Sequence, residues 1–306
     1  MKFEFSNEDV LDIADLYFNI YSNILKKERP KEKIIYFFAG QPGAGKSQLK
    51  YNIPPNYLYH SIYINPDLIK LLTFKKLEKF KKNYENYKEN SLHNLLSEFT
   101  DKVEDKLIEL AFKEKLNIIN DRDFGSDKSW NFKYFELMKN AKKKGYKVYF
   151  YGLAVNPQIS ILGNYYRYFS GQENRLVPLK IHNKRYNNLI INLKQLIFKE
   201  KLVDQYILYK RDYNNNGLMK LKSYNSKIQS FRFLKDFMIE RTRELNPKEK
   251  VKLNLVYKKT KFLIKEKYKG DDTFINNNLK KLNMGFKFAK TLVTNEKRSL
   301  KRYFKL

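Results

Sequence analysis

The 306 residues contain no cysteine, and acids are scarce beside bases: 33 Asp and Glu against 62 Lys and Arg, a formal net charge of +29. Without thiols there is no disulfide scaffold and no thiolate zinc site. His60, His93 and His182 have no metal-ligand spacing to any partner, which argues against an imidazole-built metal centre. No stretch approaches the roughly eighteen uncharged apolar residues that a membrane span requires, and the opening MKFEFSNEDVLDIADLYF carries acids inside its apolar pattern. The expectation is a soluble, cytoplasmic protein with no membrane partner. A chain of this length removes roughly 75% of its unfolded surface from water on folding, so it needs no covalent staple to build a core.

What is abundant is lysine, spread along the whole chain with much Asn, Ile and Tyr, which reads as a compositional bias rather than a patch. A charge of +29 still draws polyanions through counterion release. No zinc finger, RNP-like motif or basic-region heptad array is visible, so nucleic acid stays open as a partner without being favoured. The 24 Tyr and 23 Phe recur inside apolar runs such as Ile34–Phe38, where filling a core is the more economical reading than stacking on bases.

Ser6 with Asp9 resembles a capping box, and Val10, Ile13, Tyr17, Ile20 and Ile24 follow at helical spacing to about Lys27, with Pro30 ending the helix. Short apolar runs at 34–39, 62–64, 116–119, 148–154 and 206–209 alternate with longer helical segments near 70–89, 101–114 and 129–144, the last closed by Gly145 as C-cap. Such alternation predicts an α/β fold: a parallel sheet of about five strands covered by helices on both faces. A turn is expected at Asn214–Gly217 after the last strand. From about Asn225 the pattern becomes long, Lys-rich and helical, with breaks near Asn246-Pro247 and Lys269-Gly270-Asp271. Residues 1–224 therefore read as the main domain and 225–306 as a helical extension.

Gly40-Gln41-Pro42-Gly43-Ala44-Gly45-Lys46-Ser47 fits G-x-x-x-x-G-K-[ST] directly after a strand-like run. Its glycines let main-chain N–H groups turn inward around a phosphate, and a helix starting near Lys46 adds its positive end. Lys46 is then placed for the β- and γ-phosphates and Ser47 Oγ for Mg²⁺. A Gly-rich structural turn is the plain alternative, and a loop that binds nucleotide without catalysis is the non-enzymatic one. Asp67, in Ile62-Tyr63-Ile64-Asn65-Pro66-Asp67, stands at a strand end, where ligands bind in open α/β sheets. A carboxylate there can take the proton of an attacking hydroxyl; it can equally be the N-cap of a helix at Leu68–Leu72. No Asn-Lys-x-Asp guanine motif occurs, which favours a kinase over a GTPase. Arg167 and Arg175 flank the Ser170-Gly171-Gln172 turn, and planar guanidinium groups suit the spread charge of a phosphoryl transition state. Stacking on the neighbouring tyrosines is the structural alternative for them, and His182 reads as a packing histidine.

Together these residues resemble the zeta toxins, P-loop kinases of bacterial toxin–antitoxin systems. The loop Phe38–Ser47, with its Gln41-Pro42, is similar to that family's phosphate loop. Ile64-Asn65-Pro66-Asp67 is similar to its Ile-Asp-x-Asp strand end, whose second Asp is the catalytic base. Gly145-Tyr146-Lys147-Val148, Gly152-Leu153-Ala154-Val155, Arg167, Arg175, Pro178, His182 and Ile207–Asp212 extend the likeness over about residues 1–224. The resemblance implies a P-loop kinase fold, and transfer of phosphate from ATP or GTP, with Mg²⁺, to the 3′-hydroxyl of UDP-N-acetylglucosamine. It implies a protein antitoxin as partner. Lys46, Asp67, Arg167 and Arg175 would be catalytic, and Gly40 to Ser47 would hold the nucleotide. Asn65, Asp105, Asp121, Arg122 and Asp123 would line the acceptor site. Here the chain departs from the family: where Glu-Gly-Thr-x-Arg is usual after the third strand, it has Asp121-Arg122-Asp123-Phe124-Gly125, and Asp105 stands where a substrate-contacting Glu is expected.

Overall fold

In the computed structural model, residues 5–22, 31–76, 89–126, 128–172, 176–212 and 217–304 are described. Their strands are β1 (Ile34–Ala39), β2 (Ser61–Ile64), β3 (Asn117–Asn120), β4 (Lys147–Leu153), β5 (Gln205–Asp212) and β6 (Gly217–Asn225), in one six-stranded sheet of order β2-β3-β1-β4-β5-β6. β1 with β3, β2 with β3 and β4 with β5 run parallel, while β6 is antiparallel to β5. β1, β2 and β3 are buried at every position, as strands covered on both faces must be.

β6 adds to the five apolar runs of the sequence. It is an edge strand with Met219, Lys220, Lys222 and Ser223 exposed, so it has no continuous apolar signal, and its lysines discourage further pairing. Leu221 is an extra residue between the pairs Leu208↔Lys222 and Tyr209↔Lys220, a bulge in β6. Of the turn expected at 214–217, residues 214–216 lie outside the described residues.

The helices are α1 (Asn7–Ser22), α2 (Pro55–Leu58), α3 (Pro66–Lys76), α4 (Glu89–Lys113), α5 (Lys128–Lys143), α6 (Pro157–Phe169), α7 (Leu179–Gln195), α8 (Ser226–Thr242), α9 (Pro247–Lys267) and α10 (Asp272–Phe304). None that is described is long and apolar enough to cross a membrane. The helix expected at 101–114 is the second half of α4. The one expected at 70–89 is described only as far as Lys76, within α3, and the expected end of α1 near Lys27 and Pro30 lies outside the described residues. The helix expected after the glycine loop is a 3₁₀ segment, Lys46–Asn52. Pro54 and Pro55 follow it closely, and a proline forces the residue before it out of helical geometry, which leaves room for only a short tight turn.

Two compact units gather these elements. The first comprises Met1–Phe37, Ile53–Arg122 and Ala141–Lys147. Ser6 caps α1: Asp9 N–H donates to Ser6 Oγ at 3.1 Å, and Ser6 N–H donates to the Asp9 carboxylate at 2.8 Å. Tyr17 on α1 donates its hydroxyl to the Tyr63 carbonyl of β2, and the buried Asn117 accepts the Ile34 N–H at 2.7 Å. Gly145, at φ +77°, closes α5, with Tyr146 N–H donating back to the Ala141 carbonyl at 2.9 Å.

The second unit comprises Phe38–Asn52, Asp123–Asn140 and Val148–Leu306. On one face of its strands Phe150 and Tyr206 meet Phe233 of α8. A Cβ on Gly152 would stand 2.7 Å from the Phe233 ring, so α8 lies as close as it does because β4 has no side chain there. On the opposite face Phe38 stacks on Tyr151, and Tyr151 meets Tyr209 at a tilt. The Lys-rich helices are built into this unit. Asn246 and Glu249 form a full capping box at the start of α9, and Gly270, at φ +95°, separates α9 from α10. Ile264 of α9 and Leu282 and Ala289 of α10 bury Ile161, Leu162, Tyr165 and Phe169 of α6.

Candidate active site

The glycine loop of the second unit is fixed from three directions. Gln41 is buried, and its side-chain amide donates to the Val155 carbonyl at 2.5 Å and to Ser160 Oγ at 3.3 Å. That is the work of the Gln-Pro pair: it ties the loop to the chain end of β4 and the first turn of α6. Gly43, at φ +78°, rests on α6 so closely that a Cβ would collide with the Ser160 carbonyl oxygen. Gly163 returns the contact, since its own Cβ would stand 2.5 Å from the Gly43 carbonyl. Arg211, at the end of β5, donates from Nε to the Ala44 carbonyl at 2.8 Å and from a terminal nitrogen to the Gly43 carbonyl at 3.3 Å. Gly45, at φ +91°, lies against that guanidinium. A peptide whose carbonyl is held on one side presents its N–H on the other. Held at the Ala44 carbonyl, the loop turns the Gly45 N–H to its other side, which fits an anionic phosphate chain. Ser47 is exposed and Lys46 half-buried at its rim.

The contact between loop and α6 also places Arg167. Ser160, Gly163 and Asn164 touch the loop, and residues three and four apart share one face of a helix. Arg167 follows Gly163 by one turn, with Nε donating to the Gly163 carbonyl at 3.4 Å. Arg175 lies outside the described residues. His182 of α7 is fully buried and hydrogen-bonded through Nε2 to Ser160 Oγ at 2.9 Å. Burial pushes its pKa down to about 4, so at neutral pH the imidazole is uncharged. It acts as a brace for Ser160 and the loop, as its packing role in the sequence suggests.

The carboxylates belong to the first unit. Asn65 is the N-cap of α3: its Oδ1 accepts the N–H groups of Asp67 at 2.8 Å and Leu68 at 3.3 Å. That assigns the cap to Asn65 and leaves the Asp67 carboxylate exposed at the second position of the helix, after Pro66. The same Asn65 donates from Nδ2 to Asp121 at 3.0 Å and to the Tyr63 hydroxyl at 2.9 Å, and Tyr63 in turn donates to Asp121. Arg122 pairs with Asp101 and with Glu104, the latter at 3.0 Å, and Asn120 donates to Glu104 at 3.0 Å. Asp105 is exposed, whereas its neighbour Glu104 is buried in this network. The apolar stripe Val103, Leu107 and Ala111 carries the signal for that phase, because Glu104 shares its face and Asp105 stands about 100° away. In the second unit Asp123 pairs with Arg185 of α7 at 3.0 Å and accepts the Gly125 N–H at 2.9 Å. Among the described residues no group of three or more His, Cys, Asp or Glu could hold a metal ion.

The sequence model of the zeta toxin family matches residues 21–221, about two thirds of the chain. The chain belongs to the zeta toxin family. With membership comes the coarse activity, a kinase-type phosphotransferase that binds nucleotide. The fold of this zeta toxin is similar to a solved structure from the PezAT chromosomal toxin–antitoxin system of Streptococcus pneumoniae, with TM-score 0.67, 17% identity, and 86% of this chain and 98% of that one covered. It is also similar to AvrRxo1-ORF1:-ORF2, solved with ATP, with TM-score 0.50 and 15% identity over 78% of this chain and 73% of that one. No curated protein sequence matches the chain. In this zeta toxin the glycine loop packs on α6, the helix that carries Arg167, in the second unit; in the first, Asn65 bonds Asp121 and Arg122 pairs with Glu104. Arg211 was not legible as a site residue, since it lies more than 160 positions from the loop in an ordinary strand.

Proposed function

We propose that this zeta toxin transfers the γ-phosphate of ATP or GTP to a hydroxyl of a sugar nucleotide, UDP-N-acetylglucosamine at its 3′-OH, and that a protein antitoxin restrains it. The single observation that carries the reading is the glycine loop, held open by Gln41, Arg211 and α6, with Lys46 at its rim. Residues 1–224 are the kinase domain on this reading, and 225–306 the helical extension that supports α6. Asp67 takes the hydroxyl proton while the acceptor oxygen forms its bond to the γ-phosphorus, and the bond to the β,γ-bridging oxygen breaks to release the nucleoside diphosphate. Arg167, with Arg175, stabilises charge on the transferring oxygens. Mg²⁺ suits the hydroxyl of Ser47 together with nucleotide oxygens, since no all-protein cage is described, and bound there it would neutralise phosphate charge. The cytoplasm, where nucleotide and sugar nucleotide meet, is the proposed site of action.

The test is mass spectrometry of small metabolites after brief expression in a bacterium. A sugar nucleotide heavier by one phosphate supports the reading, and an unchanged profile with soluble protein contradicts it. The altered run Asp121–Gly125 and the +29 charge favour one second reading, a kinase acting on RNA or another polyanion. Salt separates the two: RNA binding falls linearly in log[salt], whereas sugar-nucleotide turnover responds mildly.

A further inference from the structure

We infer that Arg211 is a positioning residue for phosphate binding, a clamp that sets which way two glycine-flanked peptides of the loop face. The inference rests on the proposed nucleotide-binding role of the loop. The peptide joining Gly43 to Ala44 has a glycine before it, and the peptide joining Ala44 to Gly45 has one after it. A peptide flanked by glycine rotates with little steric resistance, so these two planes are among the soft points of the cradle. If the Ala44–Gly45 peptide turned over, a carbonyl dipole would face the phosphate site where an N–H is needed. Arg211 holds both carbonyls from behind, at 2.8 Å and 3.3 Å. The Ala44 N–H is also occupied, donating to the Gln41 carbonyl at 3.1 Å. The clamp therefore acts chiefly on the Gly45 N–H, which it turns toward the cradle.

The strand supplies the geometry. Tyr209 and Arg211, two residues apart on β5, share one face of the sheet, and Tyr209 is held there by its tilted contact with the Tyr151 ring. The arginine stem thus leaves a packed row and reaches the loop with its fork. A planar fork with several donors can take two carbonyls at once, whereas an ammonium is a point donor. Gly45 completes the match: a Cβ there would stand 2.8 Å from a terminal nitrogen of Arg211, so the third glycine of the loop makes room for the clamp as well as adopting φ +91°. The positive charge stands behind the amides, where it strengthens the field of the cradle without occupying the phosphate position.

The experiment is calorimetric titration of the full chain with ADP, beside thermal melting of the same proteins without ligand. R211M should melt near wild type yet bind ADP about a hundredfold more weakly, and R211K, which keeps the charge but not the fork, about tenfold more weakly. R211K alone decides the matter should R211M fail to fold. Wild-type ADP affinity in R211K or in folded R211M overturns the inference and leaves the kinase reading standing. A wild-type protein that does not bind ADP overturns the nucleotide-binding reading, and the clamp with it.

Discussion

Asn65 carries two functions on one side chain: its oxygen caps α3 and its nitrogen ties the helix start to Asp121 and Tyr63. A carboxylate at position 65 could cap equally well, but it would face Asp121 across 3.0 Å with no proton to offer. The departure from the family's Asp is thus matched to its neighbours, and it leaves Asp67 free of structural duty. Asp67→Asn should therefore lower the transfer rate by about two orders of magnitude or more while ADP affinity stays within about twofold, as expected when a proton acceptor is removed. Steady-state rates with a calorimetric Kd check this, and an unchanged rate would remove Asp67 from the mechanism. His182 gives a second test. Its folded pKa, about 4, lies below the ordinary 6.5, so between these values the unfolded chain binds the extra proton. Its contribution is whole above pH 6.5 and is lost as pH falls toward 4, about 3 kcal/mol over the window. Denaturant melts from pH 7 to 4.5 should show that slope, and His182→Gln should flatten it.

At the scale of elements, contiguous chemistry was legible and remote chemistry was not. The loop is a run of eight neighbours, and its motif, its strand and its Gln-Pro signature stand together in the sequence. The parallel strands were legible because burial on both faces demands unbroken apolar runs, and β6 was not because an edge strand escapes that demand. Glu104 was hidden by one step of helical phase, though the stripe of Val103, Leu107 and Ala111 fixes that phase. Arg211 had no local signal, since what makes it a site residue is a loop from the other end of the unit. Gly43 is the point where element and site meet. Gly43→Ala sets a methyl into the α6 backbone at a positive φ, so it should cost about 3 kcal/mol or more in stability and abolish ADP binding. A melting scan with and without ADP checks both, and near-wild-type behaviour would mean that the loop does not rest on α6.

In the second unit as a whole, the Lys-rich helices pack against the rest of the unit. Arg241 of α8 has no exposed surface. Its guanidinium lies 3.6 Å over the Tyr186 ring, donates to the Tyr186 carbonyl at 2.9 Å, and pairs with Glu296 of α10 at 3.7 Å. One buried cation thus joins α7, α8 and α10, and the sequence did not announce it because an arginine in a Lys-rich helix reads as solvated. Removing one partner strands the other charge: Arg241→Met should cost about 3–5 kcal/mol, and adding Glu296→Leu should restore most of that. Denaturant unfolding of both single variants and the double variant measures it, and a double variant that loses the sum of the two single losses would show that the pair is not coupled.

Phosphoryl transfer to the sugar nucleotide is measured most directly in a single incubation of the purified protein with γ-labelled ATP, Mg²⁺ and UDP-N-acetylglucosamine, with Asp67→Asn alongside. Label is expected on the sugar nucleotide with the wild type and, at equal nucleotide occupancy, almost none with the variant. ATP held by the wild type at high enzyme concentration, with no label passed to the sugar nucleotide, would contradict that expectation.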